Sequence, residues 1–190
     1  LAGLFGRPVA SFGVSAAVLA IVAVAAVMVG GLFPQPGEGI RTKGLEAEIQ
    51  VYRDGGEAIE ILQDGSQVSE GDLLQISYNA AGGRFGCIFS IDGRGAFTLH
   101  YPPTADGATS IEPAGEVLLP YAYRLDDAPR FEKFYFVTSD QEFDLDTIFD
   151  VVSNQIDRQA EEPGYELQFT DAAAGLPELT VSSLVLRKTE

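Results

Sequence analysis

Turn signals interrupt this chain so often between Leu45 and Tyr101 that only short strands fit between them. Asp54-Gly55-Gly56, Gln63-Asp64-Gly65, Glu70-Gly71-Asp72 and Asp92-Gly93-Arg94-Gly95 are built from residues that tolerate positive φ or bond their own backbone. The segments they separate read as strands. LEAEIQVYR, Leu45 to Arg53, alternates apolar and polar side chains with the period of two that a half-buried strand needs. Ala58 to Leu62, Val68, LLQISYN, Phe85 to Asp92 and Ala96 to Tyr101 follow it. Short strands punctuated in this way predict an antiparallel β-sandwich or barrel.

Beyond Tyr101 the pattern loosens. Thr104 to Pro120 holds Asp106-Gly107, Pro113 and Gly115 and is expected to be an extended crossing loop. FEKFYFVTS, from Phe131, predicts a strand buried on both faces, because Phe134 to Val137 are apolar without interruption. Asp144 suits the N-cap of one helix from Leu145 to about Ala160, where Leu145, Ile148, Phe149, Val152 and Ile156 recur at helical spacing. Glu161-Glu162-Pro163-Gly164 ends it, and TVSSLVLRK, Thr180 to Lys188, closes the fold with another strand.

The N-terminal part is of another kind. No charged side chain lies between Arg7 and Glu38, and Val14 to Phe33 is a run of 20 residues broken only by Ser15, Gly30 and Gly31. A helix of that length reaches about 30 Å, the thickness of a bilayer's hydrocarbon core. A signal peptide is the competing reading, but its apolar region is about 7–15 residues and ends in a small-residue cleavage site, whereas this run leads into Pro34-Gln35-Pro36-Gly37. The expected organisation is a short N-terminal segment (1–13), a transmembrane helix (14–33), a Pro/Gly linker (34–43) and an acidic β-sandwich domain (44–190). Basic residues flank the run on both sides, Arg7 before it and Arg41 and Lys43 after it, so charge alone leaves the orientation open. The acidic C-terminal part favours an extracytoplasmic or periplasmic domain on a single-pass protein of the cell inner membrane. The first residue is Leu1 rather than Met, which is expected to reflect an unusual start codon or a longer N-terminal region.

Charge narrows the partners. Residues 38–190 carry 11 basic and 28 acidic side chains, a balance of −17, which repels phosphate backbones and argues against nucleic acid. The expected partners are the membrane, through residues 14–33, and a protein. One cysteine, Cys87, excludes an internal disulfide, and paired Cys or His spacings for zinc or iron–sulfur chemistry are absent. Cys87 lies in the apolar FGCIFSID and reads as a buried, inert thiol.

Each candidate for chemistry has a plainer structural reading. His100, the sole imidazole, stands at a strand end in TLHYPP without a paired nucleophile in sequence and reads as a half-exposed or packed residue. Asp126 with Asp127, or Asp144 with Asp146, could serve acid–base chemistry or hold a hard cation. DLDTIFD nonetheless lacks the glycine and terminal glutamate of a calcium-binding helix-loop-helix. AAGGRFG, Ala80 to Gly86, is glycine-rich like a phosphate loop but has no following Lys-Ser/Thr pair and leads into a strand. No catalytic, cofactor-binding or metal residue is therefore assigned, and a non-enzymatic protein is expected.

GDLLQISY, FGCIFSIDGRGAFTLHYPP, LPYAYRLDDAP and FEKFYFVTSD together resemble an uncharacterised bacterial exported domain family. It is found C-terminal to the membrane span of anti-sigma-factor-like proteins and alongside caspase-like peptidases. The resemblance covers roughly Gly44 to Asp150 and the last strand, and implies a β-sandwich envelope module without an agreed catalytic set. It also implies an alternative, the extracytoplasmic half of a transmembrane anti-sigma-factor-like regulator whose N-terminal part is missing. Such regulators carry an N-terminal zinc- or sigma-binding segment, and this chain has only six residues before Arg7 and no His/Cys cluster.

Overall fold

A computed structural model describes residues 46–55, 58–169 and 176–189. In chain order its strands are β1 (Glu48–Asp54), β2 (Ile59–Leu62), β3 (Gln67–Val68), β4 (Leu73–Asn79), β5 (Phe85–Asp92), β6 (Phe97–Tyr101), β7 (Glu116–Arg124) and β8 (Phe131–Ser139). Helices α1 (Leu145–Ser153) and α2 (Ile156–Glu161) and strand β9 (Thr180–Lys188) complete it. The chain is mainly β. The transmembrane helix expected at 14–33 lies outside the described residues. Among those described, no helix is long and apolar enough to cross a membrane.

Every residue of β8 is buried. Alternate side chains leave a strand on opposite faces, so complete burial demands a layer on each side. Phe134 and Phe136 point to the first layer, a four-stranded sheet ordered β2-β1-β4-β7, and pack with Val51, Leu74 and Ile76. Burying each phenylalanine stabilises the fold by about 1.5–3 kcal/mol. Tyr135 and Val137 point the other way, against Ile148 and Val152 of α1. β8 itself sits near the middle of a five-stranded sheet ordered β3-β9-β8-β5-β6. The molecule is thus sheet, sheet and helices, with two apolar cores.

Three local departures from the sequence expectation have physical causes. The loop expected at 104–120 gives way at Glu116 to β7, which carries Pro120 in the strand. β7 is a sheet edge, where the lost N–H of proline is tolerated. Its pairing with β4 slips between Gln75 and Ser77, and there Gln75 Nε2 donates to the carbonyls of Leu119 (2.6 Å) and Tyr121 (3.2 Å). The single helix expected over 145–160 is broken at Asn154-Gln155. Gln155 draws the later segment onto the break by accepting from the Tyr165 hydroxyl (2.8 Å) and the Gln168 N–H (2.9 Å). Asp144 does cap α1, accepting from the Asp146 N–H at 3.0 Å, a contact worth about 1 kcal/mol. Finally, β3 runs parallel to β9, so the second sheet is mixed, not wholly antiparallel.

The expected hairpin of β5 and β6 forms, with Asp92 Oδ1 accepting from the N–H groups of Arg94 and Ala96, both at 2.8 Å. Its two glycines serve different ends. Gly95 has φ +80°, the left-handed region a tight turn requires. Gly93 is needed for close approach, since a Cβ there would lie 1.9 Å from the Pro129 carbonyl oxygen.

Candidate functional site

Ser90, His100, Tyr123 and Glu132 meet between the sheets, at the end where β6 and β7 approach each other. Alternation sends Ser90 of β5 and Glu132 of β8 inward with the phenylalanines, although both are polar. Ser90 and Glu132 are 0% and 1% exposed, and His100 of β6 is 3% exposed. Ser90 Oγ lies 2.6 Å from Glu132 Oε1 and 2.9 Å from His100 Nε2. The imidazole packs edge-on against the Tyr123 ring at 4.7 Å and beside Phe134 at 5.4 Å. From β7, the Tyr123 hydroxyl approaches Glu132 Oε1 at 3.4 Å, and the Tyr121 hydroxyl donates to the His100 carbonyl.

The far side of Glu132 is less well provided. Its Oε2 is buried without a hydrogen bond, with the Lys188 ammonium 3.5 Å away. That ammonium gives its close bonds to Asp126, at 2.8 Å to Oδ1 and 3.1 Å to the backbone oxygen. Burial raises the Asp126 carboxyl, but the bonds from Lys188 and the Ala128 N–H outweigh it and hold the group below its usual range. Burial pushes the Glu132 carboxyl up to about 7, against the lowering effect of Ser90 and Lys188. The same desolvation drives His100 down to about 3, so the imidazole is neutral at ordinary pH.

Serine, histidine and glutamate in contact invite comparison with a hydrolase, and the connectivity differs. In an acyl-transfer triad the acid orients the histidine, which takes the serine proton. Here serine stands between the other two and touches both, and all three are walled in by side chains.

The remaining candidates are dispersed. Asp127 lies apart from Asp126, paired with Arg94 at 2.8 Å on the surface. Asp144 is occupied as a helix cap. Among the described residues no group of three His, Cys, Asp or Glu side chains is placed to hold a metal ion. Cys87 faces the helices, fully buried, and burial raises its thiol to about 12. Ala80–Gly83 turns back through the Gly83 N–H to the Ala80 carbonyl (2.9 Å) and borders an open depression of about 590 Å³ near Asp140 and Glu178. Acids there oppose the phosphate that a glycine-rich loop suggests. A last feature is the outer face of the first sheet, where Ile59, Ile61 and Leu118 are 45%, 48% and 44% exposed. By register they share that face with Tyr52, Gln75 and Ser77.

Ser90, Glu132, Tyr123 and Lys188 escaped the sequence reading because they come from four separate strands. One signal existed. In FSID and FEKFYF a polar residue occupies an inward position of an otherwise apolar strand, and such a residue needs a partner from elsewhere. Comparison with known protein families, with curated proteins and with solved structures finds no match at any of the three levels.

Proposed function

We propose that this chain is a non-enzymatic, membrane-anchored module of the bacterial envelope, displaying an extracytoplasmic β-sandwich for binding or sensing. The observation that carries the reading is the enclosure of its imidazole, its inward serine and its inward glutamate behind apolar side chains, where a substrate has no approach. The uncharged run Val14–Phe33 and the Pro/Gly linker after it supply the anchor and the tether. The acidic balance of residues 38–190 suits a domain kept clear of anionic headgroups. Sheet, sheet and helix layers leave one face of the first sheet uncovered among the described residues.

An enzymatic reporter fused after Glu190 tests the topology and is expected to behave as exported. Cytoplasmic activity of that fusion, or a hydrolase activity of the full chain abolished by His100→Ala, overturns the reading.

A further inference from the structure

Ser90 has one proton and two neighbours that compete for it. A hydroxyl donates once and accepts through its lone pairs, so at 2.6 Å from Glu132 Oε1 and 2.9 Å from His100 Nε2 it donates to one and accepts from the other. With a neutral imidazole, two arrangements satisfy both contacts of Ser90. With Glu132 ionised, Ser90 donates to Oε1 and receives the Nε2–H of His100. With Glu132 protonated on Oε1, that proton points to Ser90, Ser90 donates to Nε2, and the imidazole carries its own proton on Nδ1.

The choice of oxygen is set by geometry. Oε2 faces the Lys188 ammonium at 3.5 Å, and an ammonium only donates, so a proton on Oε2 would meet another donor. A proton on Oε1 meets the acceptor Ser90. Other groups surround the carboxyl: Asp92 of β5 opposite it in register, Tyr123 of β7, Asp126 after β7 and Lys188 of β9. Asp92 and Asp126 favour the protonated form and Lys188 the ionised one, after burial, which favours protonation most.

We propose that Glu132, Ser90 and His100 form a proton relay in which the charge of Glu132 sets the tautomer of the imidazole, and thereby tunes the contacts that hold β7 to the second sheet. On acidification the relay takes up one proton: an Nδ1–H bond forms, the Nε2–H bond breaks as a new Oγ–H bond forms, and the old Oγ–H bond breaks as Oε1–H forms. One proton enters and the imidazole ends neutral. β7 responds because the Tyr123 hydroxyl touches the same Oε1, the Tyr123 ring lies on the imidazole, and Tyr121 bonds the His100 carbonyl. The device is independent of membrane placement.

The chain holds one histidine, so its imidazole nitrogen spectrum is free of overlap. The full chain, in detergent micelles and labelled at histidine ring nitrogens and glutamate carboxyls, is titrated by NMR between about pH 5 and pH 9. A neutral ring is expected throughout, Nε2–H at the alkaline end and Nδ1–H at the acid end, with one midpoint shared by the Glu132 carboxyl. Glu132→Gln, which also assigns the carboxyl signal, is expected to fix the tautomer. Ser90→Ala is expected to leave the carboxyl titrating while the tautomer stands still. One tautomer across the whole range, a ring that gains a second proton, separate midpoints, or a switch that survives Ser90→Ala each overturn the relay. Should either variant fail to fold, the shared midpoint in the unaltered chain decides alone.

Discussion

Glu132 and Lys133 are neighbours in sequence and opposites in fate. Both side chains are 1% exposed, yet one points between the sheets and the other toward the helices. Lys133 has a long stem, and its ammonium reaches the Tyr165 carbonyl (2.9 Å) and the Glu166 carboxylate (2.8 Å), whose own side chain is 59% exposed. A flexible chain can thus be buried while its charge is delivered to the rim. Glu132 is too short for that escape. Its charge must be met inside, by a serine, a distant ammonium or a proton. The difference teaches that β8 tolerates two adjacent ionisable residues because each face solves the problem with a different part of the chain.

The largest break in this comparison is expected from Glu132→Lys. It sets a second ammonium near Lys188 and removes the acceptor of Ser90, and an uncompensated buried charge costs about 3–5 kcal/mol. Urea denaturation measures the loss, and a change comparable with that of a surface substitution would mean that the pocket admits water.

The next effect is one of pH. Glu132 rises from 4.5 to about 7 on folding, so its contribution is present below 4.5 and fades as pH climbs to 7. His100 falls from 6.5 to about 3, so its contribution is present above 6.5 and fades as pH drops toward 3. Between 4.5 and 6.5 the two slopes oppose each other, and these two groups together give a flat profile. In Glu132→Gln only the His100 slope remains, and stability is expected to fall by about 2 kcal/mol from the neutral to the acid end of that window. Thermal unfolding at a series of pH values checks this, and parallel profiles for the two proteins would contradict it.

The smallest effect belongs to the other face. Lys133→Met keeps the stem in place and leaves the Tyr165 carbonyl and the exposed Glu166 to water, for an expected cost of about 1 kcal/mol. A loss as large as that of Glu132→Lys would show that the two faces are not handled differently after all.

How much of this was readable beforehand depended on how local the signal was. The β5–β6 hairpin, the buried β8 and the Asp144 cap are written in consecutive residues, and they appear where expected. β7 was hidden by Gly115, Pro120 and the acids before it, because its completion depends on a Gln75 side chain some 45 positions earlier. The break between α1 and α2 was equally invisible, since apolar spacing continues through Ile156 and only the later arrival of Tyr165 and Gln168 at Gln155 marks it. The site was the least legible part. His100 stands out as the sole imidazole, whereas its partners Ser90 and Glu132 gain meaning only from the inward direction their strands share.

β9 has a position that matters in time as well as in space. It lies between β3 and β8, so the last of the described strands fills an interior place in its sheet. Until Thr180–Lys188 has paired, β8 has one hydrogen-bonding edge unmet and β3, joined to the sheet by Arg187 and Lys188, has no neighbour there. Non-local pairing of this sort is slow and leaves strand edges exposed to other chains meanwhile. A chain of this design keeps an open strand edge at the centre of its second sheet until β9 is in place.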